Sequence, residues 1–134
     1  MNWFKKSQID FHPAGGEVSG LTVRNDVPNS NSISATFDNY QIQPGVREVP
    51  MSAFESPGFG YFYNVRDKNN AMSLAEQIRE SQEISPLIVA IDHEGPYILE
   101  GQHRFFALAQ LGIQSFPALI VIDLDDQEDP IIGK

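Results

Sequence analysis

The sequence predicts a small domain of the α/β (α+β) class, a mixed sheet with two or three helices. Three observations carry that prediction. Leu87-Ile88-Val89-Ala90-Ile91 is apolar at every position, as a strand buried on both faces requires. Two segments, around Leu74–Ile78 and Phe105–Leu111, place apolar residues at helical spacing. Strand and helix signals alternate along the chain, with Gly- and Pro-containing turns between them. The 134 residues fit one domain, and a hydrophobic content of 41% suffices for a small core.

Residues 1–45 read as an N-terminal extension that packs on the domain. Gly15-Gly16 and the Asn/Ser-rich stretch Asn29–Ser34 are turn or loop. Ile33–Phe37 alternates apolar and polar residues as a short strand does, and Asp38-Asn39 turns it back into Tyr40-Gln41-Ile42. Residues 46–123 form the domain proper. Val46–Val49, between Pro44-Gly45 and Pro50, is a short strand carrying Arg47 and Glu48. The aromatic, glycine-containing stretch Phe54–Tyr63 has no clear period and reads as a covering loop. Ser73, with Glu76 three residues on, has the spacing of a capping box, so the first helix is predicted to start there and fade near Ser81. Leu87–Ile91 is the buried strand, His93–Pro96 a turn, and Tyr97–Leu99 the returning strand. A second helix begins at Gln102 or His103 and ends at Gly112. Phe116–Ile122 is the last strand, its Pro117 suited to a strand start or an edge. Residues 124–134 form an acidic tail.

Composition excludes several chemistries. The absence of cysteine removes disulfides, thiolate metal sites and cysteine nucleophiles. His12, His93 and His103 are scattered, without helical metal-ligand spacing. The net charge of −9 opposes bulk attraction to nucleic acid. No apolar run is long enough to span a membrane, and Met1–Lys6 does not lead into the apolar stretch of a secretory signal. A cytoplasmic location is the default expectation, with export by a route that needs no such signal left open.

The chemistry concentrates at Glu100-Gly101-Gln102-His103-Arg104. A strand that ends in glycine and opens into a helix presents unsatisfied backbone N–H groups and the positive end of the helix dipole, a ready site for phosphate or sulfate. Arg104 has the fork that grips phosphate oxygens in parallel. His103 can donate a hydrogen bond or move a proton near neutral pH, and Gln102 can donate or accept. Glu100 would repel a phosphate unless a divalent cation or a hydroxyl-bearing substrate stands between them. A bland alternative stays beside this reading: Arg104 and His103 solvated in a first helical turn, with Glu100 paired to Arg104.

A wider pattern strengthens the first reading. Leu74-Ala75-Glu76-Gln77-Ile78, Pro86-Leu87-Ile88-Val89, Tyr97–Arg104 and Phe116–Val121 succeed one another in an order that resembles the ParB/sulfiredoxin superfamily, including domains of the ParB-like nuclease type. The resemblance implies that fold over 46–123. It also implies that Gly101, Gln102, His103 and Arg104 contact the phosphates of a nucleoside di- or triphosphate, with Ser85 and Pro86 beside them and Mg²⁺ as a companion cation that Glu100 would help hold. Relatives hydrolyse CTP, use ATP, or phosphorylate serine with ADP. By that analogy Arg47 lies on the substrate side, Glu48 is a candidate general base, and Glu48, Glu100, His103 and Arg104 form the candidate catalytic set. Gln102 stands where sulfiredoxins carry a cysteine, so sulfiredoxin chemistry is excluded. The helical DNA-binding domain that partition proteins carry after this one is not present before Lys134, which makes sequence-specific DNA binding an unlikely expectation.

The resulting expectation is a nucleotide-phosphate-binding domain that hydrolyses a nucleotide or transfers its phosphoryl group. Such domains also serve as modules of bacterial effectors or toxins. A metal-dependent nuclease, or a non-catalytic module that binds a nucleotide or a protein partner, are the alternatives.

Overall fold

The protein's structure, a computed structural model, describes residues 11–24, 40–54 and 65–124. The predicted strand Ile33–Phe37, most of the aromatic stretch after Phe54 and the acidic tail after Leu124 lie outside these residues. The main sheet has five strands: β1 (His12–Pro13), β4 (Tyr40–Pro50), β6 (Leu87–Asp92), β7 (Gly95–Glu100) and β8 (Ser115–Asp123). Their spatial order is β1-β4-β8-β6-β7. β8 runs antiparallel to β4 and parallel to β6, and β7 returns antiparallel to β6. The sheet is therefore mixed, as predicted. A smaller sheet joins β2 (Glu17–Val18), β3 (Leu21–Val23) and β5 (Glu83–Ile84). Its β2–β3 turn carries Ser19 and Gly20 at φ 54° and 82°, the pair of positive values that a type I′ hairpin needs.

Two α-helices are described, α1 (Val65–Ser81) and α2 (Gln102–Gln110). α1 begins eight residues before the predicted start, and Ser73 lies inside it. Glu76, read as half of a capping box, instead pairs with Arg79 one turn on. The polar run Arg66–Asn70 carries no apolar period, so the sequence offered no sign of helix there.

β4 also differs from its prediction. It is one 11-residue strand, with its register against β8 shifted between Gln43 and Val46. The sequence punctuation at Pro44-Gly45 is absorbed as an irregularity within the strand, with Gly45 at φ 90°. Arg47 braces this point, Nη1 donating to the Phe11 carbonyl and Nη2 to that of Pro44.

β8 divides the two faces by simple alternation. Phe116, Ala118, Ile120 and Ile122 join the large core beneath the helices, together with Leu87, Val89, Ile91, Phe105, Phe106 and Leu108. Phe54 and Phe116 meet Phe105 edge to face, with centroids 5.2 and 5.8 Å from it. Burying each such side chain contributes roughly 1.5–3 kcal/mol, so α2 is fixed firmly to the sheet. The opposite face carries a smaller cluster of Ile88, Ala90 and Val121, flanked by Tyr40, Tyr97, Leu99 and Leu119.

Candidate phosphate site

The site is built where β7 ends and α2 begins. β7 carries one extra residue: Val89 lies opposite Ile98 and Ile88 opposite Glu100, which leaves Leu99 as a bulge. Such an insertion bends a strand and re-aims the chain beyond it. Gly101 comes next, the N-cap of α2, at φ 102° and ψ 29°. A methyl group on Gly101 would stand 2.8 Å from Leu87 Cγ and 3.2 Å from Arg104 Nη2. Glycine is thus required for its backbone conformation and for its lack of a side chain.

The start of α2 has no side-chain cap. The Phe105 N–H closes the first helical turn onto the Gly101 carbonyl at 2.9 Å. The backbone N–H groups of Gln102, His103 and Arg104 precede that bond and have no acceptor within the helix. The dipole adds about half a positive charge at this end. Gln102 and His103 are exposed beside it, Arg104 is half-buried, and Glu100 is half-buried at the strand end.

Arg104 is tied to the fold more closely than its sequence suggests. Its Nη1 donates to the carbonyls of Ser85 and Pro86, at 3.0 and 3.1 Å. These two residues link β5 to β6, so Ser85, Pro86, Gly101 and Arg104 do meet at one place. A grip on phosphate by Arg104 would have to use its Nε and Nη2 edge.

Arg47 and Glu48 stand further off. Arg47 lies opposite Ala118, and Ala118 opposite Leu87, which puts Arg47 two strand spacings, roughly 10 Å, from Leu87. Glu48 alternates to the other face, opposite Pro117. There Ser115 Oγ donates to Glu48 Oε2 at 2.6 Å, a short charge-assisted bond. Ser19 Oγ lies 3.1 Å from Ser115 Oγ, donates to the Ser115 carbonyl at 3.0 Å and accepts from the Ser115 N–H at 3.3 Å. The structure therefore groups Glu48 with Ser115 and Ser19 rather than with Arg104. Sequence reasoning did not single out either serine. They are 96 positions apart, and no local motif joins them.

The same face holds a second polar group. Tyr97 OH donates to Asp123 Oδ2 at 3.1 Å and lies 3.4 Å from Tyr40 OH. Ala90, opposite Tyr97 on β6, leaves room for the ring to cross that strand. Burial, then the bond with Tyr40 and the Asp123 charge, push the Tyr97 hydroxyl far above the usual phenol range.

Among the described residues no three His, Cys, Asp or Glu side chains converge on a metal position. Mg²⁺ bound with a nucleotide needs only one or two carboxylates besides the phosphates. Glu100, the last residue of β7, is the carboxylate beside this turn. No described helix is long and apolar enough to cross a membrane.

Fold and geometry together define a small α+β domain with a glycine-led helix start between β7 and α2. Residues 34–132 match the ParB N-terminal domain, and the chain belongs to that family. It is also similar to sulfiredoxin from Arabidopsis thaliana, at 26% identity over 57% of this chain and 84% of that one, with a TM-score of 0.47. No curated protein matches the chain.

Proposed function

We propose that this domain binds the phosphates of a nucleoside di- or triphosphate at the N-terminus of α2, and hydrolyses the nucleotide or transfers its phosphoryl group. The observation that carries the reading is the turn at Gly101: positive φ, no room for a side chain, and an uncapped helix start immediately after it. Membership of the ParB N-terminal domain family supports it. The first-turn N–H groups would hold the phosphate oxygens. Gln102 would add a hydrogen bond, and His103 would donate or accept the proton that phosphoryl transfer moves. Glu100 would hold a Mg²⁺ carried in by the phosphates, which neutralises charge on them.

A second reading, binding without turnover, is favoured by the position of Glu48. The candidate base is bonded to Ser115 on the face away from the helices. Titration with ATP, ADP, CTP and GTP, with and without Mg²⁺, tests both readings when phosphate release and transfer are measured in parallel. Binding with turnover is expected for at least one nucleotide. Binding alone selects the second reading. No binding to any of them overturns both, as does unchanged affinity in a folded Gly101→Ala variant.

A further inference from the structure

We infer that Arg104 is a positioning residue, which holds the Ser85 and Pro86 carbonyls and braces α2 against the start of β6 so that the helix N-terminus stays open to the anion. The inference rests on the phosphate-binding reading above and deepens it. Arg104 is the third residue of α2, and helical side chains lean toward the helix N-terminus. Its side chain therefore folds back past Gly101, where Nη2 comes within 3.2 Å of the position a Gly101 methyl would take. From there Nη1 reaches both carbonyls. An NH₂ group has two hydrogens, and two carbonyls use both.

The clamp has two effects. First, it joins segments 18 and 19 positions apart, fixing the β5–β6 junction beside the turn. Second, it neutralises two carbonyl dipoles that would otherwise present negative ends close to a bound phosphate. A lysine would keep the charge but not the planar fork that reaches both carbonyls. Charge alone is therefore not what this position supplies.

The test uses the full chain as wild type, Arg104→Lys and Arg104→Ala. Affinity for ATP and CTP is measured by calorimetry, and hydrogen exchange is monitored in the peptide covering residues 83–88 without nucleotide. Both variants are expected to lose about tenfold or more in affinity, the scale of hydrogen bonds to a charged group, and to exchange faster in 83–88. Near wild-type affinity in Arg104→Lys would overturn the inference, because Arg104 would then act as a charge on the phosphate. Faster exchange with unchanged affinity in both variants would also overturn it, leaving a purely structural tie. If Arg104→Ala fails to fold, Arg104→Lys alone decides. If the wild type binds no nucleotide, the phosphate reading fails, and unchanged exchange in 83–88 would separately overturn the clamp.

Discussion

The two ends of α2 are both marked by glycine, and they are finished in opposite ways. At the C-terminal end Gly112, at φ 74°, closes a Schellman turn: its N–H donates to the Ala109 carbonyl at 3.1 Å, and the Ile113 N–H to that of Leu108 at 3.0 Å. A side chain at Gly112 would meet nothing within 4 Å. At the N-terminal end Gly101 leads into a helix start without a side-chain cap, and a side chain there would collide with Leu87. One end satisfies its backbone groups internally. The other has no side-chain cap hydrogen bond and is tightly packed around Gly101. A helix that needed only to be stable would be capped at both ends, since a good N-cap contributes about 1 kcal/mol. The asymmetry supports the proposed reading of the N-terminal end as the binding end.

Polar groups elsewhere keep to the closed pattern. Ser115 satisfies Glu48, and Tyr97 bridges to Asp123 across the far face. That face holds a set of internal ties, whereas the helix side carries the turn at Gly101. Substitutions can break or sharpen this contrast.

The largest effect is expected from Gly101→Ala. Left-handed backbone costs about 1–2 kcal/mol, and overpacking against Leu87 adds about 1–3 kcal/mol. Denaturant unfolding should register the sum, with loss of nucleotide affinity in whatever remains folded. Gly112→Ala should cost only the backbone strain, about 1–2 kcal/mol, and leave affinity untouched. Equal losses for the two glycines would remove the distinction between the ends.

Tyr97→Phe should cost about 1 kcal/mol, the net value of a hydrogen bond. It also carries a pH signature. The folded-state pKa of Tyr97 is raised, so its stabilisation is complete below the unfolded value of about 10 and is lost as pH rises above it. Thermal unfolding of the wild type should therefore weaken from about pH 10 upward, and Tyr97→Phe should flatten that part of the profile. An unchanged profile would mean that Tyr97 is not buried against Asp123 in solution.

Glu48→Gln should have the smallest effect on stability, since the Ser115 bond can be remade to a neutral oxygen, at a cost of about 1 kcal/mol or less. Its value lies in turnover. If phosphate release stops while binding persists, Glu48 is catalytic despite its partner on the far face. If both persist, it belongs to the closed set.

The candidate site was legible in the sequence to the extent that it depends on backbone conformation. Gly101 before a helical apolar stripe marks the turn, and Gly112 after it marks the stop, because positive φ strongly favours glycine. The buried strand β6 was legible for a similar reason, since a short run apolar at every position suits a strand covered on both faces. Local signals also misled: Ser73 and Glu76 have capping-box spacing inside a helix that had already begun, and Pro44-Gly45 punctuates a strand that continues through them.

The sequence by itself determined the class of fold, the strand–turn–helix order and the glycine at the candidate site, all properties set within a few residues of chain. Only the tertiary structure decided what the side chains do there. It turned Arg104 onto the carbonyls of Ser85 and Pro86, put Glu48 with Ser115 on the opposite face, and let Tyr97 reach Asp123 over Ala90. Those partners lie between 18 and 67 positions apart in the chain. Which of them meet depends on strand order, register and alternation across the sheet, and no local pattern encodes these.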